Sequence, residues 1–297
     1  MRLVTLRAQG GTRAARLDGD TVTELPFADV GELLRSGGDW ATRAKATVGG
    51  LERRLHDVAL APVIPSPAKI ICLGLNYVSH IVEMGRVLPE HPTLFAKYAV
   101  ALTGPADPIP LPPESVAVDW EAELAIVIGA RVRRVSPEDA GRAIAGYTVA
   151  NDTSMRDWQN RTLQWLQGKS FEASTPLGPA LVTPDELPGD PLAPDLEIRT
   201  EVDGEVMQLA RTGDLLFGPA RSIAYISTFM TLEPGDVILT GTPAGVGAGR
   251  EPPVYLRPGQ VVRVAIEGLG ELVNRCEAER LGGSVSGLQG GASGTQP

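Results

Sequence analysis

The stretch Val118-Asp119-Trp120-Glu121-Ala122-Glu123-Leu124-Ala125-Ile126-Val127-Ile128-Gly129 reads as a long buried strand. It is apolar apart from three acids in its first half and is ended by a glycine. Working outward, Lys69–Leu73 reads as a second buried strand and Gly146–Ala150 as a third. Leu196–Val202 and Glu205–Leu209 flank Asp203-Gly204, a strong signal for a tight hairpin. Short strands follow at Val237–Leu239, Val261–Ile266 and Glu271–Cys276. Pro219–Met230 has helical amphipathicity, and Ser136-Pro137-Glu138-Asp139 has the order of a helix start. The 34 glycines and 25 prolines are spread along the chain. Frequent breaks in a hydrophobic chain favour many short strands, so the expected class is a mixed β-rich (α+β) fold, a β-sandwich or roll with peripheral helices.

The first 66 residues read as a smaller module. Leu3–Leu6 is a short strand, Ala15–Leu25 a hairpin turning at Asp18-Gly19, and Asp29–Leu34 and Trp40–Leu55 have helical spacing. Ala61-Pro62-Val63-Ile64-Pro65-Ser66-Pro67 cannot be regular structure, which places a boundary there. The division expected is therefore 1–66, 67–280 and a low-complexity tail over 281–297, expected to be disordered.

Composition narrows the function. The chain of 297 residues carries 27 Lys+Arg against 36 Asp+Glu, a net charge of −9. Nucleic acid and anionic membrane are disfavoured as partners. No apolar run is long enough to span a bilayer, and no secretory signal is visible near Arg2, Arg7, Arg13 and Arg16. Cys72 and Cys276 lie in strand-like stretches without metal spacing. Both suit packed thiols in a reducing compartment, so a cytoplasmic small-molecule enzyme is expected.

Glu121 and Glu123 stand at i and i+2, on one side of a strand. Two buried carboxylates side by side are unfavourable unless a cation sits between them, and a hard divalent cation fits. An exposed edge strand would tolerate the same pair without metal. Asp152, at the end of a strand, reads either as a turn cap or as a third carboxylate completing a Mg²⁺ or Mn²⁺ set. His80 and Glu83 stand at i and i+3, so on a short helix the acid would orient the imidazole as a general base. A surface pair without effect has the same spacing. Gly74 and Gly85 bracket this segment, which gives it the form of a lid.

Only four lysines occur, at 45, 69, 97 and 169. Lys169, among small and apolar residues, suits a developing oxyanion or a substrate carboxylate, or else an exposed side chain. Arg156 and Gln159 would share a helix face after Asp152 and could clamp an oxo or carboxylate group; polar residues on an exposed helix face look the same. The turn Gly241-Thr242-Pro243-Ala244-Gly245-Val246-Gly247 offers amides and a hydroxyl to an anion, but it has neither Walker A nor dinucleotide spacing.

Asn76-Tyr77-x-x-His80-x-x-Glu83, Glu121-x-Glu123 and Asn151-Asp152-x-x-x-Arg156-Asp157-x-Gln159 follow one another in this order. With Gly168–Pro179, Phe229–Gly247 and the run through Glu251-Pro252-Pro253-Val254-Tyr255-Leu256 to Asn274, they resemble the motif blocks of the fumarylacetoacetate hydrolase family. The resemblance covers nearly all of the second region. It implies a β-sandwich roll with an N-terminal cap module, usually a homodimer. It also implies Mg²⁺ or Mn²⁺ on Glu121, Glu123 and Asp152, with His80 and Glu83 as a water-activating pair on a lid. Lys169 matches the family's catalytic-site lysine; Arg156, Gln159, Thr242 and Tyr77 match positions at the oxo-acid. Two segments depart from the family's pattern: Tyr98-Ala99-Val100 after Phe95-Ala96-Lys97, and Arg211-Thr212 after the Asp203-Gly204 hairpin.

The reaction expected first is hydrolysis of a carbon–carbon bond in an acylpyruvate-type 2-oxo acid. His80 would activate the water, and the pyruvate enolate would leave on the metal. Decarboxylation of an oxaloacetate-like acid, or keto–enol and double-bond isomerisation, would use the same site. A non-catalytic binding or scaffold role is the alternative of another class.

Overall fold

A sheet running from the strand at Glu52–Arg54 to that at Thr93–Lys97 organises the molecule. A computed structural model describes residues 1–279, residues 48 and 84 excepted. The tail expected to be disordered lies outside the described residues.

The sheet has eleven strands. At its centre Ala122–Ile128 pairs antiparallel with Ile144–Asn151 on one side and with Val237–Leu239 on the other. Ile70–Gly74 then joins parallel to Val237–Leu239, and Thr93–Lys97 closes that end. A second sheet of five strands includes the expected hairpin Glu197–Val202 and Glu205–Arg211, together with Val261–Ile266 and Gly270–Ala278. The mixed β-rich sandwich expected from the sequence is the fold observed.

The apolar run 124–128 is unbroken because both faces of its strand are covered. Leu124, Ile126 and Ile128 point into the core between the two sheets, against residues such as Ile198 and Val264. Ala125 and Val127 point the other way, into a second core with Val30, Leu33 and Leu34 of the helix Val30–Arg35. Glu123 shares the parity of Ala125 and Val127, so the second face is where its carboxylate emerges.

Several boundaries differ from the sequence reading. Val118–Ile128 is two strands, Val118–Asp119 and Ala122–Ile128, interrupted at Trp120 and Glu121. Val118–Asp119 leaves the large sheet to pair with Ser154–Met155, so Glu121 sits at a corner rather than in a regular strand. The helix expected over Trp40–Leu55 ends at Ala46. A Cβ on Gly50 would lie 2.2 Å from the carbonyl oxygen of Glu24, and the chain beyond it forms the strand Glu52–Arg54. The helix expected from Ser136 is only a 3₁₀ turn, Ala140–Ala143, because the strand Ile144–Asn151 begins at once.

The N-terminal strands do not stand apart. Arg2–Ala8 pairs antiparallel with Thr175–Val182, which continues the large sheet from residues 1–66 into the remainder. Among the described residues no helix is long and apolar enough to cross a membrane. Cys72 and Cys276 are free thiols, both buried in strands as expected.

Candidate active site

The strand ends of the large sheet bring the predicted acids together. Oxygens of Glu121, Glu123 and Asp152 all lie within 4.8 Å of one another, and all three residues are buried. The corner at Trp120-Glu121 is held by Asp152 N–H donating to the Glu121 carbonyl (2.9 Å) and by Glu121 N–H donating to Asn151 Oδ1 (3.0 Å). Backbone and side chain thus fix both acids from one pair of contacts.

Cations surround two of the three carboxylates. Lys169 Nζ bridges Glu121 Oε2 (2.6 Å) and Asp152 Oδ2 (2.9 Å). Arg156 reaches Glu121 Oε1 at 2.6 Å and Asp119 Oδ2 at 2.8 Å. Lys97 Nζ lies 2.5 Å from Asp152 Oδ1 and also donates to the Lys169 carbonyl. Burial works to raise the pKa of Glu121 and Asp152. Lys169 with Arg156, and Lys169 with Lys97, outweigh it and hold both carboxyls below their usual values. Lys169 is pulled the other way: burial would lower its pKa, but Asp152 and Glu121 raise it above the ordinary lysine value. Its two short contacts are those of an ammonium donor to both carboxylates.

Glu123 is different. It is 1% exposed, forms no ion pair among the described residues, and accepts from Gly241 N–H at 2.7 Å. Burial, followed by the charges of Asp152 and Glu121, pushes its carboxyl well above the usual range. A buried acid trio with one member lacking a cation has the donor set of a hard divalent ion. The residues present fit Mg²⁺ or Mn²⁺, and Glu121, Glu123 and Asp152 are the ones that would hold it.

Short helices position the rest. Arg156–Gln159 and Leu166–Lys169 pack backbone to backbone at Gly168, where a Cβ would lie 2.4 Å from Gln159 N. That approach sets Lys169 beside Arg156 and places Gln159 at the wall of a cavity of about 180 Å³. Arg156 is thus committed to acids rather than free to clamp substrate, although it still lines the cavity; its Nη1 also donates to Gln159 Oε1 at 2.9 Å.

His80 lies on the helix Val78–Glu83, and its Nδ1 is 3.0 Å from Glu83 Oε2. The carboxylate can only accept, so Nδ1 is the donor in this contact and Nε2 is the ring nitrogen left for the cavity. Asp214 Oδ2 anchors the start of this helix by accepting from Ser79 N (3.0 Å) and Ser79 Oγ (2.6 Å). His80 and Thr242 both line the cavity. Thr242 Oγ1 accepts from Gln208 Nε2 at 2.8 Å.

Two readings need correction. Tyr77, expected at the substrate, is fully buried and does not line the cavity; its backbone bridges Leu215, and its hydroxyl has no hydrogen-bond partner among the described residues. The glycine-rich turn is no open anion cradle, because its amides at 241 and 247 are already committed to Glu123 and Asp119. Asp119, Lys97, Phe95 and Trp165 went unrecognised as site residues. Asp119 accepts from the amides of Gly247 and Ala248 as well as from Arg156, tying the turn to the acid corner. The signal for Lys97 was its scarcity and its i+2 spacing from Phe95 on one strand.

A family model described as fumarylacetoacetate (FAA) hydrolase, C-terminal, matches residues 69–277. The chain belongs to the fumarylacetoacetate hydrolase family. It is 44% identical over 267 residues to oxaloacetate tautomerase fahd2, mitochondrial, of Xenopus laevis, covering 86% of this chain and 83% of that protein. Among solved structures, fumarylacetoacetate hydrolase from psychrophilic Exiguobacterium antarcticum aligns with a TM-score of 0.82 and 35% identity. The alignment covers 94% of this chain and all of that one. The crystal structure of 2-hydroxyhepta-2,4-diene-1,7-dioate isomerase from Mycobacterium marinum aligns with a TM-score of 0.75 and 35% identity, over 94% of this chain and 99% of that one. The chain is a family enzyme of the same fold.

Proposed function

We propose that this enzyme catalyses keto–enol tautomerisation of a small 2-oxo acid, with Mg²⁺ or Mn²⁺ held by Glu121, Glu123 and Asp152. The observation that carries this reading is the His80–Glu83 contact at 3.0 Å. It joins a cavity-lining imidazole to a carboxylate whose side chain is 34% exposed. A tautomerase needs a base that takes a proton from carbon and a route that exchanges it with bulk water. His80 supplies the first and the half-exposed Glu83 the second.

The bound cation would polarise the 2-oxo group and make the adjacent C–H more acidic. His80 Nε2 takes the proton from the carbon next to that group, and Glu83 stabilises the imidazolium by its contact at Nδ1. Lys169 stays protonated and lends fixed positive charge to the oxygen side. Arg156 and Gln159 shape the wall, and Thr242 offers its hydroxyl there. Reprotonation at carbon or at oxygen closes the cycle. A cavity of about 180 Å³ is below the ~300–1,000 Å³ of drug-sized sites, which favours a substrate of few carbons.

The tautomerase named in Xenopus laevis and the isomerase of Mycobacterium marinum both shift protons on related acids by name, which puts proton transfer ahead of carbon–carbon hydrolysis. A cytoplasmic homodimer remains part of the proposal; the mitochondrial label belongs to the Xenopus protein. The test follows enol-oxaloacetate by absorbance with Mg²⁺, with product masses read in parallel on oxaloacetate and acetopyruvate. Faster enol decay without mass change supports tautomerisation. Pyruvate with acetate from acetopyruvate would reinstate hydrolysis, and CO₂ from oxaloacetate would assign decarboxylation.

A further inference from the structure

We infer that Arg86 reads the distal carboxylate of the substrate, so that this enzyme selects dicarboxylic 2-oxo acids over monocarboxylic ones of the same length. The inference rests on the proposed 2-oxo acid chemistry for the reaction, and on the charges of the cavity for the ligand.

Four cationic or basic side chains line the cavity: His80, Arg86, Arg156 and Lys169. Three are committed. His80 pairs with Glu83, Arg156 with Asp119 and Glu121, and Lys169 with Glu121 and Asp152. Among the described residues Arg86 forms no ion pair and no side-chain hydrogen bond, and it is exposed at the edge of the same cavity. Its backbone is placed, not loose: Arg86 N–H donates to the Ile81 carbonyl at 3.0 Å, tying it to the end of the helix that carries His80.

Elsewhere on the wall Gln159, Asn160 and Thr242 offer neutral donors only, so among the described residues Arg86 is the one uncommitted cation for a second carboxylate. Leu73, Gly74, Phe95 and Trp165 are apolar there, with Phe95 and Trp165 packed edge to face at 5.5 Å between ring centroids. With the 2-oxo acid end at the acid corner, the cavity leaves Arg86 as its uncommitted cation for the far end. A methyl group there would gain only the wall. A carboxylate would gain a planar guanidinium that can donate two parallel hydrogen bonds.

The experiment measures binding to the Mg²⁺-loaded full chain by calorimetry. The ligands are L-malate and 2-hydroxybutanoate, four-carbon 2-hydroxy acids that differ in the distal carboxylate and are not turned over by tautomerisation. Wild type is expected to prefer L-malate, and Arg86→Gln to weaken L-malate about tenfold, the low end for one charge-assisted hydrogen bond. 2-Hydroxybutanoate should move less than about twofold on the same scale, and Arg86→Lys should restore part of the preference. Equal binding of the two acids by wild type, or equal weakening of both by Arg86→Gln, overturns the inference. Because no turnover is read, absence of oxaloacetate tautomerisation would sink the proposed reaction and leave this result standing on its own.

Discussion

Lys97 Nζ lies 2.5 Å from Asp152 Oδ1, and neither side chain has any exposure to solvent. The other oxygen of Asp152 accepts from Lys169, and Lys97 also donates to the Lys169 carbonyl. One lysine therefore positions both an acid of the candidate metal set and the lysine beside it. Removing one partner of a buried pair leaves an uncompensated charge and costs about 3–5 kcal/mol. Asp152 keeps Lys169, so Lys97→Met should lower the metal-free unfolding free energy by no more than about 3 kcal/mol in urea titration. An unchanged midpoint would show that Asp152 does not depend on Lys97.

Glu123 makes the opposite prediction. It lacks a cation of its own and lies beside two like charges, so Glu123→Gln should leave metal-free stability unchanged or slightly higher. With metal the order reverses. A ligand at 100 times its Kd stabilises by ~2.7 kcal/mol, or roughly 5–10 °C in Tm for a chain of this size. Wild type should show that rise with Mg²⁺ or Mn²⁺, and Glu123→Gln should lose most of it. A full rise in the variant would move the metal away from this acid trio.

The metal set was legible in the sequence because parity survives irregularity. Glu121 and Glu123 still converge although a strand break separates them, since the break turns Val118–Asp119 toward Ser154–Met155 and leaves Glu121 at the corner. His80 and Glu83 were legible because i,i+3 on one helical turn is a local relation. Asp119 was not, because its partners Gly247 and Ala248 are more than a hundred residues away. Nor was the commitment of Arg156 to acids, since helical spacing tells which way a side chain leaves the backbone but not what it meets. The truncated helix after Trp40 failed for a similar reason: Gly50 lies against the Glu24 carbonyl, a tertiary contact that ends a locally helical pattern.

Both thiols should be inert in the folded enzyme. Burial pushes Cys276 up to about 12 and Cys72 well above its ordinary value, with the charge of Asp203 adding to the first and that of Asp152 to the second. The thiol is neutral below its pKa, so at pH 8 a pKa of 12 leaves roughly one Cys276 in 10⁴ as thiolate. Ellman's reagent should find neither thiol within minutes at pH 8, and both at once in guanidinium chloride. Rapid reaction of one equivalent in the native protein would contradict this burial.

Gly74 has a size constraint imposed from outside its own chain segment. A Cβ there would lie 2.3 Å from Cζ3 and 2.8 Å from Cη2 of Trp165, so the ring must move. Gly74→Ala should destabilise by about 1–3 kcal/mol, the range of overpacking. It should also raise KM, because Trp165 and Gly74 share the cavity wall. Trp165→Phe in the same chain shortens the ring and should recover much of the loss, a coupling that a double-mutant cycle measures. Additive losses would show that the two residues do not meet.

The final prediction concerns the proton route. His80→Ala removes the proposed base without touching the acids, since the imidazole pairs only with Glu83 among the described residues. Its kcat for enol-oxaloacetate should fall by about 10²–10⁴, the usual worth of a positioned general base. The Tm rise with Mg²⁺ should stay as in wild type. Glu83→Gln keeps the base but removes the negative charge that stabilises imidazolium, so its loss should be smaller, with metal response again intact. Equal losses in the two variants would place the proton transfer on the pair as a unit. Full activity in His80→Ala would assign the base elsewhere, and Lys169 could fill that role only if its ammonium were freed from Glu121 and Asp152.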